Sequence, residues 1–155
     1  VVNGTIDECS SHIGVLLGYV QQDQSELFPL VRDLQHIQKQ LFCIGLEISG
    51  DGEQHKEHFI REEAIASLER RIDWFWERCA PLKNFILPGG SFAASYAHVC
   101  RAYVRRMERK LVSWQRMYDR DIPVVLAYVN RLSDYFFAVA RWSNAMLDAK
   151  EVTWP

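Results

Sequence analysis

The sequence predicts an all-α protein: an antiparallel five-helix bundle, with a four-helix core plus a short helix in a ferritin-like up-down arrangement. Apolar residues recur at helical spacings of three and four over five stretches, while period-two runs bounded by turn residues are nearly absent. Long amphipathic stretches joined by short turns bury their apolar stripes against one another. The 155 residues suffice for a substantial core, and 1–155 reads as a single domain.

The first helix is expected from Thr5 to Tyr19, with Thr5 as N-cap, Glu8 as its capping-box partner, and Ile6, Ile13, Leu16 and Leu17 on one stripe. The second runs from Ser25 to Ile48. Its stripe includes Leu27, Leu30, Leu34, Ile37, Leu41 and Ile44, and Pro29 fits its first turn, where a missing N–H does no harm. Ser49-Gly50-Asp51-Gly52 ends it, and the chain stays polar to His58. The third helix spans Arg61 to Arg78, and a break follows from Pro81 to Gly90. The fourth runs from Ser91 to Met117. The fifth follows Asp121-Ile122-Pro123, with Asp121 as cap, and reaches Leu147.

A net charge of −2 gives no field that draws in nucleic acid or an anionic membrane, so any anion site must be built locally. No apolar run reaches the roughly 18 residues of a membrane span. No basic segment followed by an apolar core opens the chain, so no signal peptide is expected. Cys9, Cys43, Cys79 and Cys100 form no Cys-x-x-Cys pair and read as reduced thiols of a reducing compartment: the cytoplasm, or the mitochondrial matrix in a eukaryote. His55 and His58 sit in a polar surface stretch. The Glu-x-x-His pattern of di-iron bundles is absent, so no protein-held metal is expected. Trp74, Phe75 and Trp76 read as core and subunit contact.

Two helices carry the polar residues that ask for an explanation. Arg101, Arg105 and Glu108 fall at i, i+4 and i+7, on one helical face edged by Arg109, while Arg106 points elsewhere. Stacked cations repel mildly, and the arrangement makes sense where an anion or a carboxylate lies between them. The planar guanidinium fork suits phosphate oxygens. A solvated basic face with Glu108 as internal partner is the plain alternative. On the fifth helix Asn130 and Asp134 share a face, either in a site or in a network tying helices together. His98, one turn before Arg101, reads as a packed or hydrogen-bonded histidine. The loop Pro81–Ser91 is apolar for a loop: Phe85, Ile86 and Leu87 either cap the bundle or wall a large flat ligand.

Four segments occur in order and register: Gly4-Thr5-Ile6-Asp7-Glu8, Phe85-Ile86-Leu87-Pro88-Gly89-Gly90, Arg101 to Arg109, and Asn130-Arg131-Leu132-Ser133-Asp134-Tyr135. Together they resemble the cobalamin adenosyltransferases of the propanediol-utilisation type, from Gly4 to about Trp154. The resemblance implies a homotrimer of five-helix bundles with active sites between subunits. The implied reaction moves the 5′-deoxyadenosyl group of ATP, with Mg²⁺, onto the cobalt of cob(I)alamin derived from cob(II)alamin, and releases triphosphate. It places Arg105, Arg106, Met107, Glu108, Arg109 and Asn130 at positions that contact ATP or hold its site, although alanine is usual where Met107 stands. Arg101 and Asp7 are expected to pair across a subunit boundary, joining Arg105 and Glu108 in the catalytic set, and Phe85 to face the lower side of the corrin. A reductase and a cobalamin-dependent acceptor enzyme are the implied partners. The family's Thr-x-Thr-Gly-Asp-x-Gly segment, which wraps the ATP phosphates, is expected upstream of residues 1–155. A non-catalytic corrinoid carrier or sensor that keeps the bundle without ATP chemistry is the alternative. In the catalytic reading, cob(I)alamin is itself the nucleophile, so the protein needs no Ser–His or Cys–His pair.

Overall fold

The computed structural model describes residues 2–23, 25–50 and 52–155. Five α-helices follow one another: α1 (Val2–Asp23), α2 (Pro29–Ile48), α3 (Glu62–Trp76), α4 (Phe92–Tyr118) and α5 (Pro123–Met146). Short 3-10 stretches, Ser25–Leu27 and Gly52–His58, precede and follow α2. Among the described residues the one β-type contact is an antiparallel bridge between Ile86 and Thr153.

Local chemistry explains most of the boundaries. Pro29 and Pro123 open α2 and α5, as expected of a ring whose missing N–H falls where no helical acceptor exists. Ser91 caps α4, its Oγ accepting from the Ala94 N–H at 3.2 Å. At the far end Asp119 adopts a left-handed conformation (φ 49°), and its N–H returns to the Gln115 carbonyl. Two expected caps are corrected. Thr5 is not an N-cap: α1 is already helical at Val2, and Thr5 lies inside it, buried. Asp121 does not cap α5 either. The N-cap residue is Ile122, and its N–H is taken by Gln115 Oε1 at 3.1 Å, a side chain reaching across the turn from α4.

The helices are arranged as an incomplete ring: α2 packs along α1, α1 along α4, α4 along α5 and α5 along α3. Buried Ile13, Leu16, Leu34, Leu41, Val104, Leu111, Val129 and Leu132 fill its centre. Each such side chain contributes about 1.5–3 kcal/mol by leaving water. The most enclosed helix is α5, which buries residues from Val125 to Asn144. Phe75 carries α3 onto α5: it meets Tyr135 edge-on at 5.7 Å and Trp142 at 5.1 Å. Asp33 fastens α2 to both, its Oδ2 accepting from Arg71 Nε at 2.8 Å and from the Tyr135 hydroxyl at 3.0 Å.

The four cysteines are free thiols. Burial pushes Cys9 up to about 12, which keeps it protonated and inert. Among the described residues no group of three His, Cys, Asp or Glu side chains could hold a metal. None of the helices is long and apolar enough to cross a membrane.

Candidate active site

The outer face of the α4–α5 pair gathers four of the residues singled out in the sequence: Arg105, Glu108, Arg109 and Asn130. Glu108, half-buried, uses both carboxylate oxygens. Its Oε2 accepts from Arg105 Nη1 at 2.5 Å and its Oε1 accepts from Asn130 Nδ2 at 3.0 Å, so α4 and α5 are locked across their seam. The line continues along α5: Asn130 Oδ1 accepts from Arg131 Nη2 at 2.7 Å, and Arg131 pairs with Asp134 at 3.2 Å. Arg105 and Arg109 are exposed beside it. The two readings of this face coincide physically. The network ties the helices together, and by doing so it holds an arginine fork and an amide in fixed relation at the surface, as anion recognition requires.

The other expected residues divide. Arg106 faces the opposite flank of α4 and pairs with Glu8 of α1 at 3.6 Å. Met107 is fully buried in the core, so its side chain offers nothing to a ligand on the arginine face. Asp7 is exposed on α1, and Arg101 turns instead to His98, its Nε donating to His98 Nδ1 at 3.3 Å. Asp7 and Arg101 are therefore not partners within one protomer. Phe85 stands 82% exposed at the loop before α4. A recess of about 740 Å³ opens between α2 and α3, and none of these residues lines it.

Sequence reasoning missed two residues. Arg141 and Asn144 are buried on the last turns of α5. Arg141 binds Glu151 of the C-terminal segment, and Asn144 holds both sides of Gly90, accepting from the Ser91 N–H at 2.8 Å and donating to the Gly89 carbonyl at 3.1 Å. The available signal was polar residues set into the apolar run of α5, which must find partners when buried.

His98 is 5% exposed, and desolvation first, then the Arg101 charge, lower it from 6.5 to about 4. The folded imidazole thus stays neutral where the unfolded chain takes up a proton. Its contribution to stability is complete above pH 6.5 and is lost as pH falls towards 4, on the order of 2 kcal/mol. Urea unfolding at pH 4.5 and 7.5 should show this loss in the native protein and a smaller one in His98→Gln, whose amide still accepts from Arg101. Equal losses in both proteins would assign the effect to other groups.

An arginine locked by a carboxylate to an amide across two long helices of an all-helical bundle fits a helical-bundle class of proteins that present cationic side chains at an inter-helix seam. The model of one such family, cobalamin adenosyltransferase, matches residues 1–143. The chain belongs to the cobalamin adenosyltransferase family. It is 42% identical over 142 residues to the corrinoid adenosyltransferase of Bacillus subtilis, covering 92% of this chain and 72% of that one. It is 39% identical over 145 residues to the mouse corrinoid adenosyltransferase, covering 90% of this chain and 60% of the mouse protein. Among solved structures it superposes, with a TM-score of 0.86 and 35% identity, on a variant PduO-type ATP:corrinoid adenosyltransferase from Lactobacillus reuteri complexed with cobalamin and ATP. That match covers 99% of this chain and 83% of the other.

Proposed function

We propose that this protein transfers the 5′-deoxyadenosyl group of ATP to the cobalt of cob(I)alamin, giving adenosylcobalamin and triphosphate. The observation that carries the reading is the Glu108 clasp, which fixes Arg105 and Asn130 together at the α4–α5 surface. Family membership supplies the reaction class.

The chemistry asks little covalent work of the chain. The cobalt(I) electron pair attacks the ribose 5′ carbon, the bond from that carbon to the triphosphate oxygen breaks, and its electrons leave with the triphosphate. No proton moves, so no general base is needed. Arg105 and Arg109 neutralise the charge gathering on the leaving group. Asn130, held by Glu108 and Arg131, orients the nucleotide so that the 5′ carbon lies in line with cobalt. Mg²⁺ would enter with ATP, held by phosphate oxygens, and would share in neutralising the leaving group. Phe85 faces the lower side of the corrin and excludes the lower nitrogen ligand and water, which eases reduction from cobalt(II).

The assembly is a homotrimer with sites between subunits. Two features support this. Asp7 and Arg101 do not meet within a protomer, which leaves them to pair across a seam. Separately, an aromatic row runs along the α1–α4 seam: Tyr19 lies 4.6 Å from Phe92, Phe92 stacks on Tyr96 at 5.8 Å, and Phe92 is 52% exposed. A reductase supplies cob(I)alamin and a cobalamin-dependent enzyme receives the product. The free thiols fit a reducing compartment, the cytoplasm or the mitochondrial matrix.

The test is adenosylation of chemically reduced cob(I)alamin, followed by absorbance with and without ATP. ATP-dependent loss of the cob(I)alamin spectrum with triphosphate release is the expected result. Corrinoid binding without turnover would instead make the protein a carrier or sensor.

A further inference from the structure

We propose that Arg141 is a positioning residue for the corrinoid-facing loop, acting through Glu151 and the segment Val152–Trp154. The inference rests on the reading of Phe85 given above and deepens it.

Phe85 lies in a stretch without helix, Pro81–Pro88, and its ring is 82% exposed, so nothing within the loop fixes it. Its backbone is fixed from outside. The Phe85 carbonyl accepts from the Trp154 N–H and the Leu87 N–H donates to the Val152 carbonyl, both at 2.8 Å, around the Ile86–Thr153 bridge. In extended pairing, alternate side chains face opposite ways. Ile86 accordingly turns inward, half-buried, while Phe85 and Leu87 turn out. A two-stranded ribbon this short does not hold itself together in water.

Its anchor lies one residue before the ribbon. Both oxygens of Glu151 accept from Arg141 Nε, at 3.2 and 3.3 Å. Arg141 is 6% exposed and its guanidinium lies 5.2 Å from the centre of the Trp76 ring. Releasing Glu151 would strand that buried charge, which is far costlier than breaking a surface ion pair. The segment therefore stays docked, the ribbon stays paired, and the Phe85 backbone is held in place.

The same helix holds the other end of the loop through Asn144, three residues on from Arg141. Gly90 adopts φ +101° there, and a Cβ at that position would sit 2.4 Å from Asn144 Oδ1. Since α5 also carries Asn130, one helix sets both the amide of the nucleotide face and the loop of the corrinoid face.

The readout that isolates this role is the cobalt coordination of bound corrinoid. The full-length protein is loaded with ATP and cob(II)alamin, and the fraction lacking the lower nitrogen ligand is read by electron paramagnetic resonance. Turnover is then compared from cob(II)alamin with a reductant and from pre-reduced cob(I)alamin, which has already lost that ligand. In Arg141→Met the ligand-free fraction should fall by about tenfold, and turnover from cob(II)alamin should fall more than turnover from cob(I)alamin. Trp154→Pro removes one ribbon donor at an exposed position, leaves Arg141 paired, and should shift the same ratio in the same direction. Equal losses from both corrinoid states in Trp154→Pro, or an unchanged ligand-free fraction, would overturn the positioning role. Inactivity of the unaltered protein with cob(I)alamin would overturn the functional reading, and this inference with it.

Discussion

Arg105→Ala is expected to lower turnover by on the order of a hundredfold to a thousandfold while leaving the bundle folded. The side chain is exposed, and its partner Glu108 keeps a second bond to Asn130, so the fold loses little. Exposed ion pairs of this kind contribute about 0–1 kcal/mol. Catalysis should lose much more, because in the proposed reaction the guanidinium acts where charge accumulates as triphosphate departs. The defect belongs in kcat rather than in the Michaelis constant for corrinoid. Arg105→Lys should fall between, since an ammonium supplies charge without the planar fork that Glu108 now orients. Steady-state kinetics with circular dichroism would check this, and a normal rate in a folded Arg105→Ala protein sinks the phosphate role.

The largest stability effect is expected at Phe75. Few residues of α3 are fully enclosed, and Phe75 is the largest of them, wedged among Trp74, Tyr135 and Trp142. Phe75→Ala removes the ring, leaves a void that rigid aromatic neighbours refill poorly, and should cost about 3–5 kcal/mol. For a domain of this size that lowers Tm by on the order of 10 °C. The seam between α4 and α5 is untouched, so activity per folded molecule at low temperature should survive. A Tm within about 2 °C of the parent would show that α3 is held by something other than this ring.

The helices were legible because their signal is periodic and repeated. Leu34, Ile37, Leu41 and Ile44 cannot share a face in any other regular structure. Boundaries were legible at Pro123 and Ser91, whereas α2 opens at Pro29 rather than at the expected Ser25, because Ser25–Leu27 is a separate 3-10 turn. They failed where a distant side chain took the work. Gln115 reaches across the turn to the Ile122 N–H, so Asp121 is not needed, and Thr5 mimics a capping box inside a helix that has already begun. The arginine face was legible as a pattern on α4. Its pairing with Asn130 was not, because the relative rotation of α4 and α5 is set by packing. The Phe85–Trp154 ribbon left no trace in the sequence: a two-bond bridge is too short to impose an alternation.

The opening between α2 and α3 makes the bundle a clasp rather than a closed cylinder. On that side α2 meets α3 without a close-packed seam and is fastened through Asp33. Widening of that opening is therefore resisted across it by the polar bonds of Asp33, while the buried leucines and isoleucines of α2 stay packed on α1 and the core. On the opposite arc, α4 and α5 share the most extensive seam of the fold and are pinned again by Glu108. Compliance and the proposed chemistry thus occupy different sides of the molecule, so that thermal breathing at the clasp should leave the alignment of arginine and amide undisturbed.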